Sequence, residues 1–529
     1  MAALALVVIL GAVILVCGAL SRRTGVAAPV LLLLAGIALG FASELRRVHL
    51  PPELMLLVFL PVLLYWEALT TSLREIRATL RGIVLNSTLL VVVTAAAVAA
   101  AAHALGLPWG PAWVLGAAVA PTDATAVGVL ARCLPRRTVT ALRAESLVND
   151  GTALVLYAIA VGITIGAEHL SIGNIGRLVA VAYIGGIAIG ALISWLGVRI
   201  RRRIEDPLLG SVLILLFPFT AYLLAELAGA SGVLAVVVCG LVMAQVGPRI
   251  GAAATRQQTI AFWTLATYLI NGALFVLVGI EAQSAVRGLV STDLRTALIG
   301  VGAVYIVIVA VRFAFLVVAA YTIRLVDRRP QQRLRRISNR ARAVSTMAGF
   351  RGAVSLAAAL AVPATLSSGA PFPERDLIVF ITTGVVALTL VVQGLLLAPT
   401  VRWARLPGDS VTQERRLAEV TAAEEALDAL PEVAANLGTD QAVADRLRGE
   451  YEEHLEILRA RDTGESADDE ILRLDSEYTR LRLALLSRKR ATVVRLRDQR
   501  RIDDTVLRQI QTRLDIEEIR LSRIDPSIG

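Results

Sequence analysis

Residues 2–20 and 82–102 each run for about twenty positions without a charged side chain. Nothing constrains this chain more. A stretch of about 20 apolar residues matches the hydrocarbon thickness of a bilayer when wound as a helix. In that medium every backbone N–H and C=O must be bonded within the segment, so helices are the structure to expect. Similar runs recur along the chain, and 56% of its 529 residues are hydrophobic against 18% charged. A soluble enzyme, a disordered chain and a nucleic-acid-binding protein are excluded by that balance. The net charge of +10 has a different origin. Residues 1–404 hold 32 Arg against 16 acids, whereas residues 405–529 hold 21 Lys+Arg against 27 acids. The basic excess belongs to the apolar part, where it reports orientation rather than a polyanion partner. The amino-terminal run lacks a basic leader and reads as a retained first span. Cys17, Cys133 and Cys239 show neither metal-ligand nor disulfide spacing.

Thirteen candidate spans are counted, at 2–20, 26–41, 51–69, 82–105, 111–131, 143–165, 177–198, 207–228, 231–247, 260–280, 296–323, 344–363 and 377–401. With the amino terminus outside, the connections that become cytoplasmic carry 23 Arg and the external ones six. That asymmetry fits the positive-inside rule and puts the carboxyl terminus in the cytoplasm. Spans 1–6 and 8–13 form two groups of six, and span 7 as connector makes them run in opposite directions. The fifth member of each group, GAAVAPTDATAVG and MAGFRGAVSLAAALAVP, is rich in small residues, broken by Pro or Gly, and charged in mid-run. Broken helices at corresponding places in inverted halves point to the binding site of a transporter. The expected organisation is a transmembrane domain over 1–404 and a charged, helical cytoplasmic domain over 405–529.

Ionisable groups within spans are costly and mark function by default. They are Glu67, Asp123, Glu145, Asp150, Glu226, Arg312 and Arg351, an acid-rich set that suits a cation. In ESLVND, residues 145–150, helical spacing stacks Ser146 on Asp150 and Glu145 on Asn149. A hydroxyl and a carboxylate one turn apart supply two oxygen ligands for a hard monovalent cation. Pro121 removes a backbone donor, so a break there frees the carbonyl of Thr122 as a third. Glu67 supplies a fourth, directly or through water, and Glu226 reads as a structural group. A buried Arg needs an acidic partner. For Glu145 the candidates are Arg312, which is favoured, and Arg351. Arg351 otherwise compensates the helix ends exposed where span 12 breaks, and Asp123 the positive end of a half-helix in span 5.

These residues lie in segments that resemble the sodium/proton exchangers of the monovalent cation:proton antiporter group, bacterial branch. The segments are FLPVLLYWEA (59–68), APTDATAVGV (120–129), ESLVND (145–150), SGVLAVVVCGLVMA (231–244), FWTLATYLINGALFVLVGIE (262–281) and FRGAVSL (350–356), in family order. The tail lies outside the resemblance. The resemblance implies an all-α, thirteen-helix inverted repeat with two crossed broken helices and a homodimer in the plasma membrane. Carried over by position, Asp150 binds cation and proton alternately and Asn149 completes the pair. Thr122 gives its main-chain oxygen, Ser146 its hydroxyl and Glu67 a distal contact. Asp123 sits at the helix crossing, and Glu145 and Arg312 form a buried pair. The bulky Tyr65-Trp66 before Glu67 and the long basic loop 324–343 depart from the pattern. The activity implied is exchange of Na⁺, or Li⁺ or K⁺, for H⁺ without any cofactor. With Asn rather than a second acid at 149, the expected exchange is electroneutral. A cation channel and an intramembrane aspartyl protease using Asp123 and Asp150 are the competing classes; the chain has neither a YD nor a GxGD pair.

Overall fold

The structure is a computed structural model that describes residues 2–42, 55–71, 73–123, 134–166, 172–204, 206–250, 253–290, 292–326, 338–406, 411–463 and 468–522. Apart from one isolated bridge between Thr365 and Pro371, the described residues are helical or in connections. The chain divides into two compact units, Met1–Pro407 and Gly408–Gly529.

In the first unit the helices are α1 (Ala2–Thr24), α2 (Ala28–Leu39), α3 (Leu60–Thr70), α4 (Leu73–Ala104), α5 (Trp109–Val119), α6 (Arg136–Ile165) and α7 (Ile172–Ala180). They continue as α8 (Gly186–Arg201), α9 (Pro207–Leu227), α10 (Gly232–Val246), α11 (Ala253–Gly288), α12 (Leu294–Val326), α13 (Asn339–Met347), α14 (Ala353–Leu360), α15 (Arg375–Leu388) and α16 (Gly394–Ala404). A π-turn, Val181–Gly185, joins α7 to α8, and another, Thr389–Gln393, joins α15 to α16. Among the described residues, eight segments are long and apolar enough to cross a membrane. Four shorter apolar helices accompany them: Ala28–Leu39, Leu57–Thr70, Trp109–Val119 and Gly232–Val246.

Local chemistry sets several ends. The Asp206 carboxylate accepts from the backbone N–H groups of Leu208 and Leu209 and starts α9. Ser231 caps α10 and Ser338 caps α13 in the same manner. Gly166, in the left-handed region at φ 74°, ends α6. Other ends overrun the hydropathy boundaries. Helix α6 begins at Arg136 rather than 143, and α11 spans Ala253–Gly288 rather than 260–280. Polar residues beyond an apolar run can still continue the helix, because intrinsic helix propensity depends on the side chain's conformational freedom rather than its hydrophobicity.

Helices α4, α5, α6, α12 and α15 pack together, while α3, α8 and α9 gather around α10. Helix α2 lies along α11. There a Cβ on Gly36 would run into the carbonyl of Val276, and one on Gly279 into that of Leu33. Two backbones thus meet without intervening side chains, as small residues permit between helices in lipid. Trp263 of α11 is buried among Tyr65, Phe217, Tyr222 and Cys239. Cys17 and Cys239 are buried free thiols; Cys133 lies outside the described residues.

The second unit holds α17 (Val411–Leu437), α18 (Gln441–Thr463), α19 (Asp468–Asp498) and α20 (Asp504–Ser522). Its buried apolar clusters among the described residues are small: Ala423, Leu455 and Leu458 in one, Leu486, Leu514 and Leu521 in another. Arg490 bridges Asp515 at 2.6 Å and Glu518 at 2.5 Å, and Arg482 bridges Glu517 at 3.0 Å. Asp503 accepts from the Thr505 N–H ahead of α20, which holds its carboxyl below the usual carboxylate range.

Candidate ion site

Span 12 is not one helix. It winds as α13, unwinds over 348–352, and resumes as α14. Span 5 winds as α5 only to Val119 and is non-helical from 120 to 123; residues 124–133 lie outside the described set. The cause at span 5 is Pro121, which offers no N–H to the carbonyl one turn back. At span 12 the two glycines are required by contact. A Cβ on Gly349 would strike the Arg312 side chain, and one on Gly352 would fall inside the Asp123 carboxylate. The unwound segments touch directly, with the Asp123 N–H donating to the Phe350 carbonyl at 2.8 Å.

Unwinding leaves carbonyls without helical partners, and charged groups meet them. Arg351 is 1% exposed. Its Nε donates to the Val119 carbonyl at 2.7 Å and its Nη1 to the Gly349 carbonyl at 2.9 Å. One guanidinium thereby compensates the negative carboxyl ends of both α5 and α13. The Asp123 carboxylate lies against Gly352, the cap of α14. There it faces the start of α14 in span 12; the second half of span 5, whose positive end the sequence assigns to Asp123, lies outside the described residues. A chain break in one span is complemented by a charge from the other, which spacing along a single span does not reveal.

Helix α6 brings its four polar residues to this crossing. Ser146 Oγ donates to the Thr122 carbonyl at 2.8 Å. Asn149 is fully buried; with its amide turned to satisfy its neighbours it donates to the carbonyls of Glu145 and Ser87, at 3.2 and 3.1 Å, and accepts from Thr122 Oγ1 at 3.0 Å. Its amide is spent on holding α4, α6 and the break of span 5 in register. Glu145 bonds Arg312 Nη1 at 2.5 Å, and Arg312 Nε donates to the Ser345 carbonyl at 3.1 Å. Arg312, 2% exposed, thus joins α6, α12 and α13.

Asp150 differs from all of these. It is 4% exposed, yet its side chain makes no hydrogen bond or ion pair with any described residue. It faces a cavity shared with Glu67, Asp123 and Ser146 and walled by Phe59, Leu60, Leu63, Leu64, Leu274, Ala353, Val354 and Ala357. The space open to a water-sized sphere is about 30 Å³. One water needs about 10–15 Å³ on that measure, so the cavity fits an ion with a water rather than an organic substrate. Glu67 is 7% exposed, and its Oε1 has no hydrogen-bond partner among the described residues. The aromatic residues before it have a packing role: Trp66 stacks on Trp263 with ring centroids 6.2 Å apart, and Tyr65 meets the same ring at 5.4 Å. They seat α3 so that the next side chain enters the cavity.

Glu226 stands apart, accepting from the Gly232 N–H at 3.1 Å as a structural cap. Several contributors were not read from sequence: Ser87, Thr389, whose hydroxyl accepts from the Arg351 N–H at 3.3 Å, and Tyr183, whose hydroxyl is 2.6 Å from that of Thr152. Ser87 acts through its carbonyl, which carries no residue signature; the two hydroxyls sit in apolar runs where they read as ordinary span residues.

Comparison with known proteins gives a consistent result. The family model described as sodium/hydrogen exchanger, transmembrane, matches residues 11–403. An uncharacterised Na⁺/H⁺ exchanger of Mycobacterium tuberculosis is 45% identical over 99% of this chain and 97% of its own length. The low-affinity Na⁺/H⁺ antiporter NhaS1 of Synechocystis is 31% identical over 76% of each chain. The sodium proton antiporter MjNhaP1 of Methanocaldococcus jannaschii at pH 8 shares the fold, with TM-score 0.57, 17% identity, and coverage of 76% of this chain and 99% of that one.

Proposed function

The chain belongs to the transmembrane sodium/hydrogen exchanger family, and we propose on that footing that it exchanges Na⁺ for H⁺ through Asp150. The observation that carries this reading is a buried carboxylate with no partner among the described residues, facing a cavity of ionic size at the contact of two unwound segments. Li⁺ and K⁺ are the alternative cargoes, and no cofactor enters the reaction. Asp150 and Ser146 Oγ lie one turn apart on α6; the Thr122 carbonyl, which the Ser146 hydroxyl touches at 2.8 Å, supplies a third oxygen. Glu67 completes the set across the cavity, and Asp123 adds negative potential at its edge.

One carboxylate then serves two ligands in turn. A proton on Asp150 removes the charge that holds the metal ion, and a metal ion beside it disfavours the proton. Access from alternate sides couples the two flows, so either gradient drives the other. Arg351 and the Glu145–Arg312 pair are positioning groups that stabilise the unwound frame. We assign the chain to the plasma membrane with its amino terminus outside and its carboxyl-terminal domain, 405–529 as bounded from sequence, in the cytoplasm. Thirteen spans, an inverted repeat and a homodimer belong to the same proposal.

Asn149 cannot ionise and its amide is committed to neighbours, so Asp150 carries a single exchangeable charge. Exchange is therefore electroneutral. In proteoliposomes, imposing a membrane potential with valinomycin is expected to leave the sodium level at which proton flux reverses unchanged. A reversal point that moves with the potential overturns the one-for-one stoichiometry.

A further inference from the structure

Helix α8 ends in a polar feature that ion exchange does not use. Trp195 and Arg199 lie one turn apart on α8, and Arg202 and Arg203 follow in the turn that ends it. All four are exposed, Trp195 to 62%, and with Val198 they line a cavity of about 380 Å³. None of the three guanidiniums forms a side-chain hydrogen bond or ion pair among the described residues. Asp206 is committed to the first turn of α9, and Glu205 lies outside the described residues. Three adjacent cations with no counter-charge among the described residues form an anion site, and guanidinium suits phosphate oxygens best.

The same face continues away from the arginines as Leu192, Ile187 and Ile184, exposed to 57%, 49% and 68%. From Ile184 to Trp195 is eleven residues, about 16 Å of helix. That is close to one leaflet of hydrocarbon, about 15 Å. The indole sits between the apolar stripe and the basic end, where Trp marks a membrane interface. A free phosphate would satisfy the arginines and leave the stripe uncovered; a phospholipid covers both. We propose that the Trp195–Arg203 end of α8 binds one anionic phospholipid of the leaflet on the arginine-rich side, its phosphate against Arg199, Arg202 and Arg203 and an acyl chain along Leu192 and Ile184. The proposal needs α8 to lie in the membrane and is independent of the exchange chemistry, so its failure leaves Asp150 untouched.

The test is a thermal-unfolding titration of the full-length protein in neutral detergent with phosphatidylglycerol, phosphatidylcholine or inorganic phosphate. Only phosphatidylglycerol is expected to raise the unfolding temperature saturably. The triple variant R199Q/R202Q/R203Q should shift that titration midpoint upward about a hundredfold, at about 1 kcal/mol for each arginine. Because three lost arginines could disturb insertion, the single variant Arg202→Gln is run beside it, with an expected shift of about fivefold. A midpoint unchanged in both variants overturns the site. Equal stabilisation of the wild type by inorganic phosphate or by phosphatidylcholine overturns its assignment to an anionic lipid.

Discussion

Asp150→Asn abolishes sodium-driven proton movement in proteoliposomes and leaves the protein folded, with its unfolding temperature unchanged or raised. The two halves of this expectation come from the same geometry. An amide fills the volume of the carboxylate but neither ionises nor releases a proton, so neither ligand of the exchange is served. The stability half is less usual for a buried ionisable group. Removing one member of a buried pair strands its partner, but Asp150 has no partner among the described residues to strand. A buried charge without a counter-ion is itself costly, so neutralising it relieves the fold rather than damaging it. Retained exchange in this variant, measured as sodium-induced pH change inside the vesicles, would remove Asp150 from the role. Glu67 and Asp123 share its cavity, and they would then be the groups to test.

Arg312→Ala has the opposite profile. Its guanidinium holds Glu145 at 2.5 Å and the Ser345 carbonyl at 3.1 Å, which pins the helix carrying Asp150 to the first half of the broken span 12. The truncation leaves a carboxylate that is only 17% exposed without its counter-charge, and opens a gap beneath Gly349. Loss of about 3–5 kcal/mol is expected, the usual cost of breaking a buried pair. The double variant R312M/E145Q removes both charges and keeps side-chain volume, so it should recover most of that loss. Thermal unfolding of the wild type, R312M, E145Q and R312M/E145Q in one detergent forms the cycle that checks this. Equal loss in R312M and in R312M/E145Q would mean that the stranded Glu145 carboxylate is not the source of the damage.

The placement of both groups was legible in the sequence for a simple reason. A charge inside an apolar run is expensive, so its few occurrences draw attention to themselves, and i,i+4 spacing in ESLVND fixes which of them share a face. The need of a buried Arg for an acid likewise pointed from Arg312 to Glu145. What stayed hidden is contributed by backbone. Arg351 spends its donors on the carbonyls of Val119 and Gly349, and Asn149 donates to those of Glu145 and Ser87. A carbonyl has the same identity at every position, so only the fold selects which ones are used. The contact of Asp123 with Gly352 stayed hidden for a related reason: it reaches the other broken span, where a missing Cβ makes the room. Helix ends were the other weak point. The segment from Arg136 to Leu142 is too polar to count as span, yet it is the start of α6.

Proton release on sodium binding tests the shared carboxylate most directly, because it needs neither a membrane nor a gradient. Purified protein in weakly buffered detergent is titrated with NaCl across a pH series, with choline chloride as the control, and the released protons are counted with a pH dye. Release is expected to approach one proton per bound Na⁺ at the acidic end, to decline as pH rises, and to vanish in Asp150→Asn. Sodium binding without proton release at any pH, or undiminished release from the variant, would contradict the shared-carboxylate mechanism.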